Sequence, residues 1–328
     1  MLNDTRYPTC LAPWNALTIK WGGNVLPDII YNGKFGNITR QTLPEILNSE
    51  EAVALRKSHA SRIVPEACLA CTKKEQSGKS RRMYFWDKLD EDVKRGSIKN
   101  TVDSKPDIRY LEAQIGYHGV EDMSFLDNLF ADPEYFRNLQ WVALRGGEPL
   151  YDESCKAILQ WFIDEGLAPN IMLDISTNAT VFDEDFQEIF KHFKHIELLM
   201  LTNIFGLDKV WNWFKEKHVH RASISMSNVV VNPTYLNIAY MPDVLKYIMY
   251  DKLLQIPDQS IWPKGSYHAD EIHYQTGIHA IRDGLQVEVD EVEQEKQWNW
   301  FVKYTNDLDR IRGTDTFSLI KELQLYNE

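Results

Sequence analysis

The stretch Trp141-Val-Ala-Leu-Arg-Gly-Gly-Glu-Pro-Leu150 limits the folds open to this chain more than any other. Trp141 to Leu144 is an apolar run of strand length, broken by two glycines and a proline. Residues with helical spacing follow: Ile158, Leu159, Trp161 and Phe162. That order predicts a buried strand, a tight turn at its carboxyl end and a return helix. A buried strand followed by a crossover helix belongs to a parallel sheet. In such sheets ligands sit beyond the carboxyl ends of the strands, where glycine lets them approach the backbone. A second strand, Ile171 to Ser176, closes on Ser176-Thr177-Asn178. A plain structural turn remains the competing reading for the two glycines.

The pair of signatures, Gly146-Gly147-Glu148-Pro149 after one strand and Ser176-Thr177-Asn178 after the next, resembles the core of radical SAM enzymes. The resemblance implies a (β/α) barrel in which Gly146, Gly147, Glu148, Ser176 and Asn178 contact S-adenosylmethionine (SAM), Glu148 facing its amino group. The strand expected first in that barrel is Asp107 to Ile115. In the family it runs into a loop whose three cysteines hold the catalytic [4Fe–4S] cluster. Here the loop Gly116 to Leu126 has no cysteine, and Gly119, Met123 and Leu126 fall at the ligand positions. None of them holds iron, thioether sulfur being a weak ligand. His118, Glu121 and Asp122 are a conceivable substitute set, a solvated loop the simpler reading. Without that cluster nothing delivers the electron that splits SAM, and side chains do not replace cofactor chemistry of this kind.

The amino-terminal segment carries a second set of cysteines. Cys10 is followed by Pro13-Trp14, then by an alternating stretch from Ala16 to Trp21, a Gly22-Gly23-Asn24 turn and a return strand Val25-Leu26-Pro27. After Gly36-Asn37, Thr42, Pro44 and Glu45 signal a helix start, with Ile46, Val53 and Leu55 towards a core. The chain then reaches Cys68-Leu-Ala-Cys71. This layout, with Asn48-Ser49-Glu50 in the helix, is similar to a twitch domain, the shorter form of the SPASM domain that accompanies many radical SAM enzymes. The resemblance implies an auxiliary metal site on Cys10, Cys68 and Cys71. Relatives carry cysteine after the return strand; here Asp28 follows Pro27. Two thiolates of a Cys-x-x-Cys turn bite one metal, and Cys10 closes a sequence loop of about sixty residues. Three cysteines with Asp28 suit a [4Fe–4S] cluster with one weaker ligand, or tetrahedral zinc. Reduced cysteines without metal are the plain alternative. Cys155 falls inside a helical stretch and reads as a buried, inert thiol.

Composition bounds the rest. The chain has 328 residues and a net charge of −12, so a sequence-independent nucleic-acid grip is not expected. Its densest basic run, Lys73 to Arg82, reads as a solvated linker. No apolar run is long enough to span a membrane, and Met-Leu-Asn-Asp-Thr-Arg lacks signal-peptide order, which predicts a cytoplasmic, reducing setting. The predicted organisation is α/β: a twitch-like metal module at 1–82, a polar linker at 83–106, a partial, shortened radical-SAM-like barrel at 107–240 and a helical part at 241–328. Two stretches toward the carboxyl end, Asn232 to Met249 and Phe301 to Gly313, resemble the tail of twitch-bearing radical SAM proteins, many of them phage or marine-bacterial. His268, His273 and His279 lie close in sequence with Asp270 and Glu271, and Glu288 to Glu295 is an acidic helix start. The expected role is a non-catalytic partner subunit, its partner protein an intact radical SAM enzyme or that enzyme's substrate. Alternatives are a SAM-binding enzyme without the radical cluster, for instance a polar methyl transferase, and a structural protein stapled by metal.

Overall fold

The structure, a computed structural model, describes residues 9–75, 80–96, 98, 100–101, 103–115, 123–146, 148–177, 182–200, 222–226, 238–254, 282–312, 315–319 and 323. Two compact units are present. The first takes in Met1–Leu173 and His192–Lys194, the second Asp174–Lys191 and His195–Glu328.

In the first unit the strands lie in the order β3-β2-β1-β4-β5. The strands β1 (Ala16–Ile19), β2 (Asn24–Leu26) and β3 (Gly36–Asn37) form an antiparallel meander. The strand β1 also pairs in parallel with β4 (Tyr110–Ile115), and β4 with β5 (Trp141–Gly146). Leu17, Leu111, Val142 and Leu144 are fully buried. Such continuous apolar runs are what parallel strands covered on both faces require.

The turn between β1 and β2 is made by Gly22 and Gly23, both left-handed, with φ of 79° and 80°. A methyl on Gly23 would stand 2.7 Å from Thr39 Cγ2 and 2.9 Å from Asn37 Oδ1, whereas one on Gly22 meets nothing within 4 Å. The clash matters because Asn37 holds the turn, its amide donating to the Gly22 carbonyl at 2.7 Å. Backbone strain alone costs about 1 kcal/mol at the lower end. Gly22→Ala is therefore expected to lose about that much, and Gly23→Ala at least about twice as much. Urea unfolding of the two variants checks the order; equal losses would contradict it.

Helix α1 (Ala12–Asn15) leads from Cys10 into β1. Where one helix was expected after Thr42, there are two. Helix α2 (Leu43–Leu47) starts in a capping box formed by Thr42 and Glu45. It stops at Asn48, and Ser49 caps α3 (Glu50–Ala60) by accepting from the Ala52 amide. Ser49 at an N-cap satisfies an amide that a continuous helix would bond internally. Helix α4 (Leu69–Glu75) carries Cys71.

Residues 83–106 are more structured than their polarity suggests. Helices α5 (Arg81–Lys88) and α6 (Asp90–Lys94) occupy their first part, and Phe85 and Leu89 are buried with Leu11, Ala16, Tyr110 and Ala143. Further on, the Trp14 indole donates to the Thr101 carbonyl at 2.8 Å, and buried Asn15 joins Asn100 and the Asp107 carbonyl. The Asn100 side chain and the main-chain carbonyls of Thr101 and Asp107 thus satisfy buried partners from the amino-terminal segment, a use invisible in linear sequence. Arg81 and Arg82 of the basic run are likewise not solvated: Arg82 is buried and Arg81 is ion-paired. Helix α7 (Phe125–Leu129) and helix α8 (Glu153–Asp164) complete this unit, Trp161 of α8 stacking on Phe130 at 3.8 Å.

Strand β6 (Met172–Thr177) begins in the first unit and ends in the second. The second unit holds α9 (Glu184–Phe190), and β7 (His195–Met200) in parallel with β8 (Ala222–Met226). It also holds α10 (Asp243–Leu254), α11 (Glu291–Arg312) and α12 (Thr316–Leu319). Asp290 caps α11 by accepting from the Glu293 amide at 3.1 Å, so the acidic run is a helix start. The chain is thus α/β with mostly parallel pairing between its described strands. His268, His273 and His279 lie outside the described residues, as do His118, Gly119, Glu121 and Asp122. No helix among the described residues is long and apolar enough to cross a membrane.

Candidate metal centre

Cys10 sits just before α1 and packs on the core formed by Leu11, Phe85 and Tyr110. Cys68 ends a short 3-10 turn, Glu66–Cys68, and Cys71 lies one helical turn further on. A left-handed Arg62 (φ 59°) brings the chain back from the end of α3 towards this turn. Asp28 follows the return strand β2 and is buried.

Electrostatics place these groups in one neighbourhood. Burial pushes the Cys10 thiol well above its ordinary range, and the charges of Cys71, Asp28 and Cys68 push it further, the Ala12 amide opposing them. Cys68 is pushed up to about 11 by burial, then by Cys71 and Asp28. Cys10 and Cys68, both raised first by burial and then by neighbouring thiol and carboxylate charges, resist ionising unless a cation shares their space. A bound metal would be such a cation, since the thiolate is the ligand and metal binding expels its proton. Among the described residues, however, no three His, Cys, Asp or Glu side chains are grouped to hold an ion. The thiols are neighbours rather than a closed cage.

Asp28 is differently engaged. Its Oδ2 accepts from Arg81 Nε at 2.6 Å and its Oδ1 accepts from the Ile30 amide at 3.0 Å. Arg81 also reaches Glu112 on β4, Nη2 to Oε2 at 3.7 Å, and lies 4.2 Å from the Tyr84 ring centroid. Burial works against the Arg81 charge, but the adjacent, hydrogen-bonded Asp28 carboxylate, with the nearby tyrosine hydroxyls, more than restores it. Glu112 is raised by burial, with Arg81 and Arg145 pulling it back, and it accepts from the Tyr110 hydroxyl at 3.2 Å. His59, in the last turn of α3, is 5% exposed and places Nε2 3.7 Å from Cys68 Sγ. Burial, then the charge of Arg82, lowers its pKa to about 4, so the ring is neutral.

Residues 10–72 match the family model SPASM, an iron-sulfur cluster-binding domain. The match spans Cys10, Asp28, His59, Cys68 and Cys71. No curated protein and no solved structure matches the chain. The amino-terminal segment is therefore SPASM-like, and an iron–sulfur site is the function that this part of the chain supports. Its donors fit that chemistry: three soft thiols in mutual electrostatic range suit iron or zinc.

The other predicted positions lie as follows. Gly146 ends β5 with φ 120°, and Gly147 is outside the described residues. The Glu148 carboxylate accepts from the Leu150 amide at 3.1 Å and caps the 3-10 turn Pro149–Tyr151. Ser176 and Thr177 are buried at the end of β6, and Asn178 is outside the described residues. Met123 and Leu126 flank the start of α7. Cys155 is fully buried on α8, and burial holds its thiol protonated, as an inert cysteine should be. Two residues of the site, His59 and Arg81, carry no signal in the sequence. Neither falls in a ligand-spacing pattern, and the fold alone brings each to its partner.

Proposed function

We propose that this chain is a degenerate radical SAM protein that serves as a non-catalytic subunit, with an auxiliary metal site in its SPASM-like segment. In this reading the module spans 1–82 and is joined through 83–106 to a partial, shortened (β/α) barrel at 107–240, with 241–328 as an appended helical part. The observation that carries the reading is a contrast within one chain. The thiols Cys10, Cys68 and Cys71 share a neighbourhood inside a matched iron–sulfur segment. The loop 116–126, where relatives hold their catalytic cluster, has no thiol at all.

An iron–sulfur cluster supplies single-electron transfer when bound. Cys10, Cys68 and Cys71 would hold it, the core around Phe85 and Tyr110 would shield it on the Cys10 side, and Arg81 would hold Asp28 beside it. Glu148 is committed to its own turn, which supports a role for the Gly146–Glu148 stretch in shaping the strand end. The partner is an intact radical SAM enzyme or the protein it modifies, in a reducing, cytoplasmic setting.

Full-length chain purified without oxygen is expected to contain iron and acid-labile sulfide. Given SAM and dithionite it is expected to release no 5′-deoxyadenosine. Release of 5′-deoxyadenosine at a rate proportional to the chain would overturn the non-catalytic reading. Absence of both iron and zinc would overturn the metal site.

A further inference from the structure

Helix α3 ends on a residue that strains the backbone. Arg62 has a left-handed φ of 59° and is the one non-glycine residue with a positive φ among the described residues. Ile63 N donates to the Ser58 carbonyl at 2.8 Å and Arg62 N to the His59 carbonyl at 3.0 Å, the paired bonds of a Schellman cap. Glycine is the usual residue where Arg62 stands, because it has no Cβ to resist that conformation. Such a cap usually packs its next residue back on the last turn of the helix. Here that residue, Ile63, is 60% exposed, and the position it would meet holds Ser58. Arg62 is exposed as well and makes no ion pair or side-chain hydrogen bond among the described residues. A strained position whose side chain has no internal use points to an external one.

The surroundings give that use a chemical character. From Lys57 to Lys74 the chain carries four basic residues and one acid, Glu66, although its net charge as a whole is −12. The acids of α3, Glu50 and Glu51, stand in its first turn, at the far end of the helix from Arg62. Lys57 and Lys73 are exposed like Arg62. Leu69, four residues before Lys73 on α4, is 47% exposed and shares a helix face with it. The two ends of this stretch meet. His59, three residues before Arg62, lies 3.7 Å from Cys68, the residue before Leu69. Two exposed aliphatic side chains, Ile63 and Leu69, therefore stand among exposed bases beside the half-buried Cys68 and Cys71.

We infer that Arg62, Ile63 and Leu69, with Lys57 and Lys73, form a docking surface for a protein partner whose matching surface is acidic around an apolar side chain. Apolar contacts inside a charged rim are the anatomy of a protein interface. Opposite charge steers such a partner to this face, since the rest of a chain at −12 repels it. The five residues include no aromatic ring on which the bases of a single strand would stack. The inference rests on the subunit reading above for the existence of a partner, and it does not require the metal.

The test uses the full-length chain and a fluorescent peptide of glutamates around a central leucine, with binding read by anisotropy. The parent is expected to bind the peptide, more weakly as salt rises. Arg62→Gly should bind it about fivefold more weakly, the upper end for an exposed ion pair. The same variant should unfold at higher urea than the parent, because glycine relieves the strained backbone. Ile63→Ser and the double change Lys57→Glu/Lys73→Glu should each weaken binding, and Lys303→Glu on α11 should not. Failure of the peptide to bind the parent overturns the surface. So does unchanged binding by Arg62→Gly, or a lower urea midpoint in it, which would show that the arginine serves the fold. Tighter binding, at equal salt, of a single-stranded oligonucleotide or of vesicles with anionic lipid overturns the choice of partner. Release of 5′-deoxyadenosine by the parent would overturn the subunit reading whatever the peptide does, so the two failures are told apart.

Discussion

Changing Cys68 and Cys71 together to serine is expected to remove the metal from the anaerobically purified chain and with it a large part of the stability of the amino-terminal segment. Serine keeps the size of the side chain but offers a hard, protonated hydroxyl in place of a soft thiolate. The two cysteines stand on one short stretch, at the end of a 3-10 turn and one turn into α4, so the double change deletes the closest-spaced part of the donor set. Burial already holds Cys68 neutral at ordinary pH, so that thiol ionises only when a metal stabilises it. Apparent binding energies at structural thiolate sites are on the order of 10 kcal/mol at neutral pH. Little else in a domain of this size stabilises so much, and the variant should unfold at markedly lower urea. Cys155→Ser is the control. That thiol is fully buried on α8, and its loss should leave metal content unchanged. Metal analysis with urea unfolding of parent, double variant and control decides the matter. Equal metal in parent and double variant would place the site elsewhere.

Replacing Arg81 by methionine should destabilise the chain by about 3 kcal/mol or more at neutral pH. The change leaves Asp28 and Glu112, with side chains 9% and 7% exposed, without their shared cation. Removing one partner of a buried pair is far worse than removing both, because the remaining charge stays buried. The contacts of the guanidinium with the Tyr84 and Phe85 rings, at 4.2 and 5.0 Å, are lost as well. The loss depends on pH, and Glu112 sets the sign. Its carboxyl already titrates above the ordinary value of 4.5, chiefly because it is buried, and Arg81 pulls it back. A carboxyl raised on folding contributes stability that is fully present below its unfolded value and is lost as pH rises through its folded value. Without Arg81 the carboxyl rises further, so the deficit should grow with pH above about 4.5 and shrink below it. Thermal unfolding across that range measures it. The double variant Arg81→Met/Asp28→Asn should recover part of the loss, since the two residues are in contact. A deficit that is flat with pH, or no recovery in the double variant, would show that Arg81 acts through packing alone.

Much of the local structure was legible because it obeys short-range rules. The Gly22-Gly23 turn needs left-handed backbone, and only glycine adopts it freely. Thr42 and Glu45 announce a helix start because their side chains bond the first free amides. The run from Trp141 to Leu144 could only be a covered strand, and it pairs on β4 as such. The cysteine pattern was legible for the same reason, since Cys-x-x-Cys is a local turn whatever surrounds it. Residues 83–106 were not legible in this way, because the Asn100 side chain and the Thr101 carbonyl, with the Asp107 carbonyl just beyond, serve Trp14 and Asn15, which lie far away in sequence.

Sequence by itself therefore determined the elements, the soft donors and the missing thiols of the loop at 116–126, all properties carried by near neighbours. Tertiary structure alone decided which groups face the thiols. It turned Arg81 out of a basic run and onto Asp28, and it set His59 against Cys68. Burial and charge pairing depend on what folding brings from a distance, and no spacing along the chain encodes that.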